Sequence, residues 1–515
     1  MSQLTGKPWW LGAVLVVLAS GCRVDSSAPP PAVDPPPPIE EKPDAGHVHD
    51  AGVIPPDGGV IDAGTPIDED GGVVDAGVDA GLPDPTDAGV PLPGSSVIYS
   101  PDRIQSPIDS SLVQRLKAIA ARGTGRERVF ARVGDSVSIA FDETPSGSGF
   151  LNCFDGILEG QVSWDVNIRL GAYSQFSPAI DYFKTQLSPT MTCYSRISKA
   201  TKIGMTASWP TTGNPSPVDQ ELDAINPRFA VVLYGSNDVG YGGMDEYPVA
   251  DQVERYEKYM RILIDHLLDR GVIPIVNTMP PDGDFLWVTP AFSAAMRAIA
   301  QGRQVPMIDF WQSLYAMGYP YGLRTDHTHP SQQDYNTCCW FDPASLATYG
   351  ENVRNLITLE AFDRMKKVFD EGATELDANA PHVVGDGSVA TPFVIDRVPW
   401  GELRDLNTAS FTPTEALSCA GAPPVPGKQF LYKLVLAQAK AVRILLLDAG
   451  KHGQQLSLLS GTSLDTCVKT DPRLIQTTLP AGTYYISVNG LSATGGTEFN
   501  LSVSECMEGD YRCSN

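Results

Sequence analysis

The residues best placed to do chemistry lie in three short stretches far apart in the chain. Asp326-His327-Thr328-His329-Pro330 sets a histidine three residues after an aspartate. Ser136 stands in Val133-Gly134-Asp135-Ser136-Val137, and Asn237 in Tyr234-Gly235-Ser236-Asn237-Asp238. A serine hydroxyl is a weak nucleophile until a base takes its proton, and an imidazole is an effective base only when a carboxylate fixes its tautomer. Ser136, His329 and Asp326 supply those three parts in the chain order Ser…Asp…His, one of several orders that build the same triad. The anionic intermediate of acyl transfer also needs hydrogen-bond donors. The Asn237 side-chain amide and the backbone N–H groups of Ser136 and Gly204 are the candidates. Taken singly, each motif also has a plain reading: a turn serine, a turn glycine, and a solvated loop or helix cap before Pro330.

Elements able to hold these residues alternate between about 97 and 372. Apolar runs at 129–133, 229–233, 273–276 and 307–310 have the length and continuity of strands buried on both faces, as in a parallel sheet. Between them, Val253, Tyr256, Met260, Leu263, Ile264 and Leu267 recur at helical spacing, and Gly271 stands at the C-terminal cap. A later helix carries Val353, Leu356, Ile357, Ala361, Met365 and Val368 on one side. This alternation predicts an α/β fold, a doubly wound parallel sheet. Ligands of such folds sit beyond the carboxyl ends of the strands, where Ser136 and Asn237 fall. From 373 to 388 the chain is rich in Gly, Pro and Asp and reads as a linker. Residues 389–515 read as an antiparallel β-sandwich. There Phe430, Tyr432, Leu434 and Leu436 alternate, 442–447 is apolar, and Phe499, Leu501 and Val503 alternate again.

Together, Gly134-Asp135-Ser136, Gly204, Gly235-Ser236-Asn237-Asp238 and Asp326-His327-Thr328-His329 resemble, in order, the four blocks of the SGNH hydrolases, or GDSL esterases and lipases. The resemblance covers roughly 125–365. It implies a flavodoxin-like three-layer fold and an esterase working without cofactor through an acyl-enzyme on Ser136. It further implies an oxyanion hole of Ser136, Gly204 and Asn237, with Asp135 supporting the turn rather than serving as the triad acid. Gly171 in Leu170-Gly171-Ala172 competes with Gly204 for the glycine block, and Val137 stands where leucine is usual. The C-terminal region is similar to the pre-peptidase C-terminal type of sandwich. Carbohydrate O-acetyl esterase and non-catalytic surface binding lipoprotein are the alternative functions, with polysaccharide contact through 389–515. His327 beside His329 raises a metal pair, but no third ligand is apparent, and no metal is expected.

The N-terminus reads as an export signal. Lys7 precedes an apolar run at 9–18, too short to span a bilayer. Leu18-Ala19-Ser20-Gly21-Cys22 resembles a lipobox, so a lipidated Cys22 on the outer membrane or cell surface is expected. Residues 23–96 have no aromatic residue, six Asp-Ala-Gly triplets, and 15 acidic against 2 basic side chains, so over half of the net charge of −24 lies in this stretch. It reads as an extended, disordered acidic tether. Beyond the tether the chain is only mildly acidic and shows no basic stripe, which argues against nucleic acid as a partner. Eight cysteines remain after Cys22, an even number that favours disulfides in an exported chain. Local pairing suggests Cys153 with Cys193 and Cys506 with Cys513.

Overall fold

The computed structural model describes residues 96–139, 149–155, 168–239, 248–333, 337–409, 427–463, 466–492, 497–507, 510 and 513. The export signal, Cys22 and the tether up to residue 95 lie outside these.

Four parallel strands, β1 (Arg126–Gly134), β2 (Pro227–Leu233), β3 (Ile273–Asn277) and β4 (Met307–Ile308), lie side by side in that order. Residues 129–134 of β1 and all of β3 are buried, as strands covered on both faces must be. The helices of this layer include α1 (Ser110–Ala120), α2 (Ser177–Phe183), α3 (Pro217–Ile225), α6 (Phe310–Tyr315), α7 (Pro343–Thr348) and α8 (Gly350–Phe369), and Phe183 of α2 and Phe362 of α8 meet Phe130 of β1. Helices α4 (Val249–Asp269) and α5 (Thr289–Arg303) pack on each other and on β3. Gly271, just past α4, has φ +69°, and a Cβ there would come within 2.3 Å of the Gly123 nitrogen, so the cap position admits only glycine.

Beyond the free edge of β1 the chain makes one further parallel bridge. Gly134 N donates to the Ala200 carbonyl at 3.0 Å, and Lys202 N donates to the Gly134 carbonyl at 3.2 Å. After β1 the chain therefore visits one side of that strand at 200–202 and then crosses to β2 on the other side. That reversal makes the sheet doubly wound, and the crevice it opens sits at the carboxyl end of β1.

The C-terminal sandwich pairs a four-stranded sheet, in the order β11 (Leu474–Leu479), β8 (Lys440–Leu447), β13 (Glu498–Glu505), β6 (Trp400–Asp405), with a five-stranded one. The second runs β10 (Cys467–Asp471), β9 (Gln454–Leu459), β12 (Gly482–Gly490), β7 (Gln429–Leu436), β5 (Phe393–Ile395). The expected antiparallel pattern holds for every pair except β5 with β7, which is parallel, because β5 enters the edge directly from the stretch after 373. Phe430, Tyr432, Leu434, Leu436, Phe499, Leu501 and Val503 fill the space between the sheets, as their alternation predicts.

In β8, by contrast, Ile444 and Leu446 join the sandwich core while Leu445 and Leu447 join the core of the α/β layer. The continuous apolar run at 442–447 is thus a strand with no face in solvent. Residues 373–388 also bond to the α/β layer, with Leu376 N and Asp377 N both on the Ile108 carbonyl.

The expected Cys153–Cys193 bridge is not formed. Cys153 pairs with Cys339, at a Cα–Cα distance of 5.8 Å and a sequence separation of 186. Asn355 of α8 draws the two segments together, its Oδ1 accepting from Leu151 N at 2.9 Å and its Nδ2 donating to the Cys338 carbonyl at 3.1 Å. Cys193 is a buried free thiol, Cys338 is buried, and Cys506 pairs with Cys513.

Candidate active site

Ser136 opens a single 3-10 turn, Ser136–Ser138, directly after β1. Asp135 caps that turn by accepting from Val137 N at 3.0 Å. Gly134 is obligatory behind it, since a Cβ there would lie 2.2 Å from the Ser138 hydroxyl and 2.5 Å from the Leu233 carbonyl. A residue that sequence reading passes over holds the turn from below. Arg354 of α8, fully buried, donates to the Val137 carbonyl and to Ser138 Oγ (3.3 Å), and its guanidinium lies 3.7 Å from the Phe150 ring centroid. Its only signal in the sequence is a cation among the apolar positions of the last helix.

The acid–base pair lies on a tight hairpin closed by a bridge between Leu323 and Pro330, with Arg324 N donating to the His329 carbonyl at 2.8 Å. Asp326 uses its two oxygens differently. Oδ1 accepts from the backbone N–H groups of Thr328 (3.1 Å) and His329 (3.0 Å), while Oδ2 faces His329 Nδ1 at 3.0 Å. The other ring nitrogen, Nε2, lies 2.9 Å from Ser136 Oγ. With the Nδ1 proton on the carboxylate side, the Nε2 lone pair faces the hydroxyl. Burial works against ionisation of Asp326, but the two backbone donors and the imidazole hold its carboxyl below the usual range. His327 turns to a separate partner, Asp284 Oδ1 at 2.9 Å, so the two histidines do not converge on a common point.

The other two blocks are bonded to each other. Asn237 Nδ2 donates to the Met205 carbonyl at 3.2 Å and reaches Asp135 Oδ2 at 3.4 Å. Asp238 accepts Ala207 N on both oxygens, at 3.2 and 3.1 Å. Gly204 is thereby carried on a segment fastened to the Asn237 turn. A Cβ at Gly204 would meet nothing within 4 Å, so close backbone approach is not what requires glycine there. Its φ of +74° is. Gly171 belongs elsewhere, on a segment bonded to 339–341 through Arg169 N to the Cys339 carbonyl and Phe341 N to the Arg169 carbonyl. Burial drives the carboxyls of both Asp135 and Asp238 up to about 7, opposed at Asp135 by Val137 N–H and Arg354.

Among the described residues, two clusters of potential metal ligands lie outside this site. In one, Glu254 accepts Gly450 N (2.9 Å) and Arg473 (2.8 Å), and Asp448 accepts His452 N (2.9 Å) and Gly453 N (2.8 Å). Those oxygens are already occupied. In the other, Cys506 and Cys513 are in a disulfide and Asp510 is paired with Arg443 at 2.7 Å.

A buried serine joined through an imidazole to a carboxylate, at the switch point of a doubly wound sheet, defines the α/β layer as a serine-hydrolase type of site. Residues 181–336 match the model of the GDSL-like lipase/acylhydrolase family. The matched segment is similar to that family and, with the triad geometry, supports an ester-hydrolysing enzyme. The match takes in Gly204, Asn237, Asp326 and His329 and begins after Ser136, which the fold alone brings to the others. Among curated proteins, none matches the chain. Similar solved structures include an acetylxylan esterase from Geobacillus stearothermophilus, 15% identical, covering 47% of this chain and 94% of that one, with a TM-score of 0.28. A psychrotrophic esterase from a Pseudoalteromonas species is 14% identical, covering 47% and 99%, with a TM-score of 0.27. The pre-peptidase C-terminal domain of a Bacillus anthracis collagenase is 16% identical, covering 22% and 92%, with a TM-score of 0.16.

Proposed function

We propose that the protein is a cell-envelope esterase that cleaves carboxylic esters of short acyl groups through an acyl-enzyme on Ser136. The observation that carries this reading is the unbroken relay of 2.9 Å from Ser136 Oγ to His329 Nε2 and 3.0 Å from His329 Nδ1 to Asp326. Ser136 Oγ attacks the ester carbonyl while His329 Nε2 takes its proton, and Asp326 stabilises the resulting imidazolium. The oxyanion is held by the backbone N–H groups of Ser136 and Gly204 and by Asn237 Nδ2, whose weak 3.4 Å contact with Asp135 gives way to the stronger charged acceptor. Collapse of the intermediate expels the alkoxide, which takes the proton back from His329. Water, activated by the same imidazole, then releases the acid and restores Ser136.

No long apolar lid-like segment stands beside the site in the sequence, which supports short acyl chains, acetyl groups on glycans among them. The signal-like run and Cys22 support a lipid anchor at the outer membrane or cell surface, with the acidic stretch 23–96 as the spacer. The test is turnover of p-nitrophenyl acetate by the full chain and by Ser136→Ala. A loss of ~10³-fold or more in kcat is expected, and equal activity of the two proteins would overturn the reading.

A further inference from the structure

The two residues between Asp326 and His329 are both held from outside the hairpin, by a turn that follows β3. Asp282 is buried, at 2% exposure. Its Oδ1 accepts the N–H groups of Asp284 (3.0 Å) and Phe285 (3.2 Å), and its Oδ2 accepts the hydroxyl of Thr328 at 2.9 Å. Gly283 N donates to the His327 carbonyl at 2.8 Å. A Cβ at Gly283 would lie 2.8 Å from the His327 Cβ, so only glycine lets the turn approach this closely. His327, held at φ +60°, closes the clasp through Asp284.

A two-residue spacer between acid and base is short, and its conformation sets where the imidazole points. Thr328 and His329 give their N–H groups to Asp326 Oδ1, so a shift of Thr328 moves the acid and the base together. Asp282 keeps its carboxyl buried on neutral donors, and burial raises it above its ordinary range. An apolar side chain would fill the same space without that desolvation cost.

We infer that Asp282 is a positioning residue of the hydrolase: through the Thr328 hydroxyl it fixes the span between Asp326 and His329, and so holds Nε2 against Ser136 Oγ. This rests on the proposed acyl-enzyme reading. Asp282 bonds none of the three triad side chains and reaches the span directly through the Thr328 hydroxyl.

The experiment measures kcat and KM for p-nitrophenyl acetate on the full chain as wild type, Asp282→Asn, Asp282→Ala, Thr328→Val, the Asp282→Ala/Thr328→Val double variant and Ser136→Ala. A displacement of about 1 Å at a catalytic group costs ~10²-fold. Asp282→Ala is therefore expected to lose ~10²-fold in kcat with KM unchanged. Asp282→Asn, which keeps an acceptor for the two backbone N–H groups and can donate to the Thr328 oxygen, is expected to restore kcat to within about threefold of wild type. Thr328→Val should lose kcat in the same sense, and the double variant should be no worse than the poorer single one, because the hydroxyl–carboxylate contact is lost in both. Wild-type kcat in Asp282→Ala, a loss confined to KM, or multiplying losses in the double variant would each overturn the inference. If Asp282→Ala fails to fold, Thr328→Val against wild type decides on the same criterion. An active Ser136→Ala would instead overturn the acyl-enzyme reading itself.

Discussion

Beneath the nucleophile turn, Asp135 and Asp238 are buried against amide donors, and the cations that act on them, Arg354 and Arg255, do not outweigh burial. Where α5 meets the sandwich, the buried carboxylate of Asp265 and the partly buried one of Glu498 both meet Arg303, with contacts of 2.5 and 2.8 Å to Asp265 and 2.8 Å to Glu498 Oε2. Glu498 also takes Arg261 at 3.2 Å. The two regions face the same desolvation cost and meet it differently. At the rim, burial leaves both acids near 7. At the interface, burial raises Glu498 but the two guanidinium groups outweigh it and hold the carboxyl below its ordinary range. One region keeps weakly bound groups in place for chemistry, and the other locks two layers together.

The largest effect should come from removing one region altogether. Ending the chain at residue 388 would uncover α5, buried at 14 of its 15 positions, with Arg303 left facing solvent. No soluble protein with a cooperative unfolding transition is expected, judged by size-exclusion chromatography and circular dichroism. A soluble, active truncation would break the contrast. Next, His329→Ala should lower kcat by ~10⁴-fold while leaving the unfolding midpoint near that of wild type. Arg303→Met should do the reverse. It strands Asp265, leaves Glu498 on Arg261 alone, and should cost about 3–5 kcal/mol in urea unfolding, with kcat per folded molecule retained. The smallest effect concerns pH. The Asp238 carboxyl, raised to about 7 in the fold from about 4 when unfolded, contributes stability that is full below about pH 4. That contribution is lost as pH rises through about 7. Asp238→Asn should flatten part of the decline in urea midpoint between pH 5 and 8, and an unchanged slope would contradict a carboxyl raised by burial.

Much of the rim was legible because its chemistry lies in short motifs. The four blocks named Ser136, Gly204, Asn237, Asp326 and His329, and the fold joins the first, fourth and fifth within hydrogen-bonding distance. Arg354, Asp282 and Thr328 were not legible, because nothing local distinguishes a supporting polar residue from a solvated one. The interface was hidden for a related reason. Glu254, Arg261 and Asp265 occupy what reads as the outer face of an amphipathic α4, and Asn500, Ser502 and Ser504 what reads as the wet face of β13. Those polar faces are buried against other parts of the chain, with Asn500 Nδ2 donating to the Ala295 carbonyl at 3.0 Å. Close packing there depends on small residues, since a Cβ at Gly401 would lie 2.4 Å from the Ala294 carbonyl and one at Gly302 2.5 Å from Leu403. Periodicity reports polarity, and polarity reports solvent only when no partner surface of matching charge arrives from far along the chain.

That distance also has a consequence in time. Arg303 and its partner Glu498 are separated by 195 residues. At a synthesis rate of roughly 5–20 residues per second, helix α5 emerges about 10–40 s before the strand that brings its second carboxylate partner. Until that strand is made, Arg303 has Asp265 but lacks Glu498, and the face of α5 that the sandwich covers stays open. Its completion waits for the synthesis of β13.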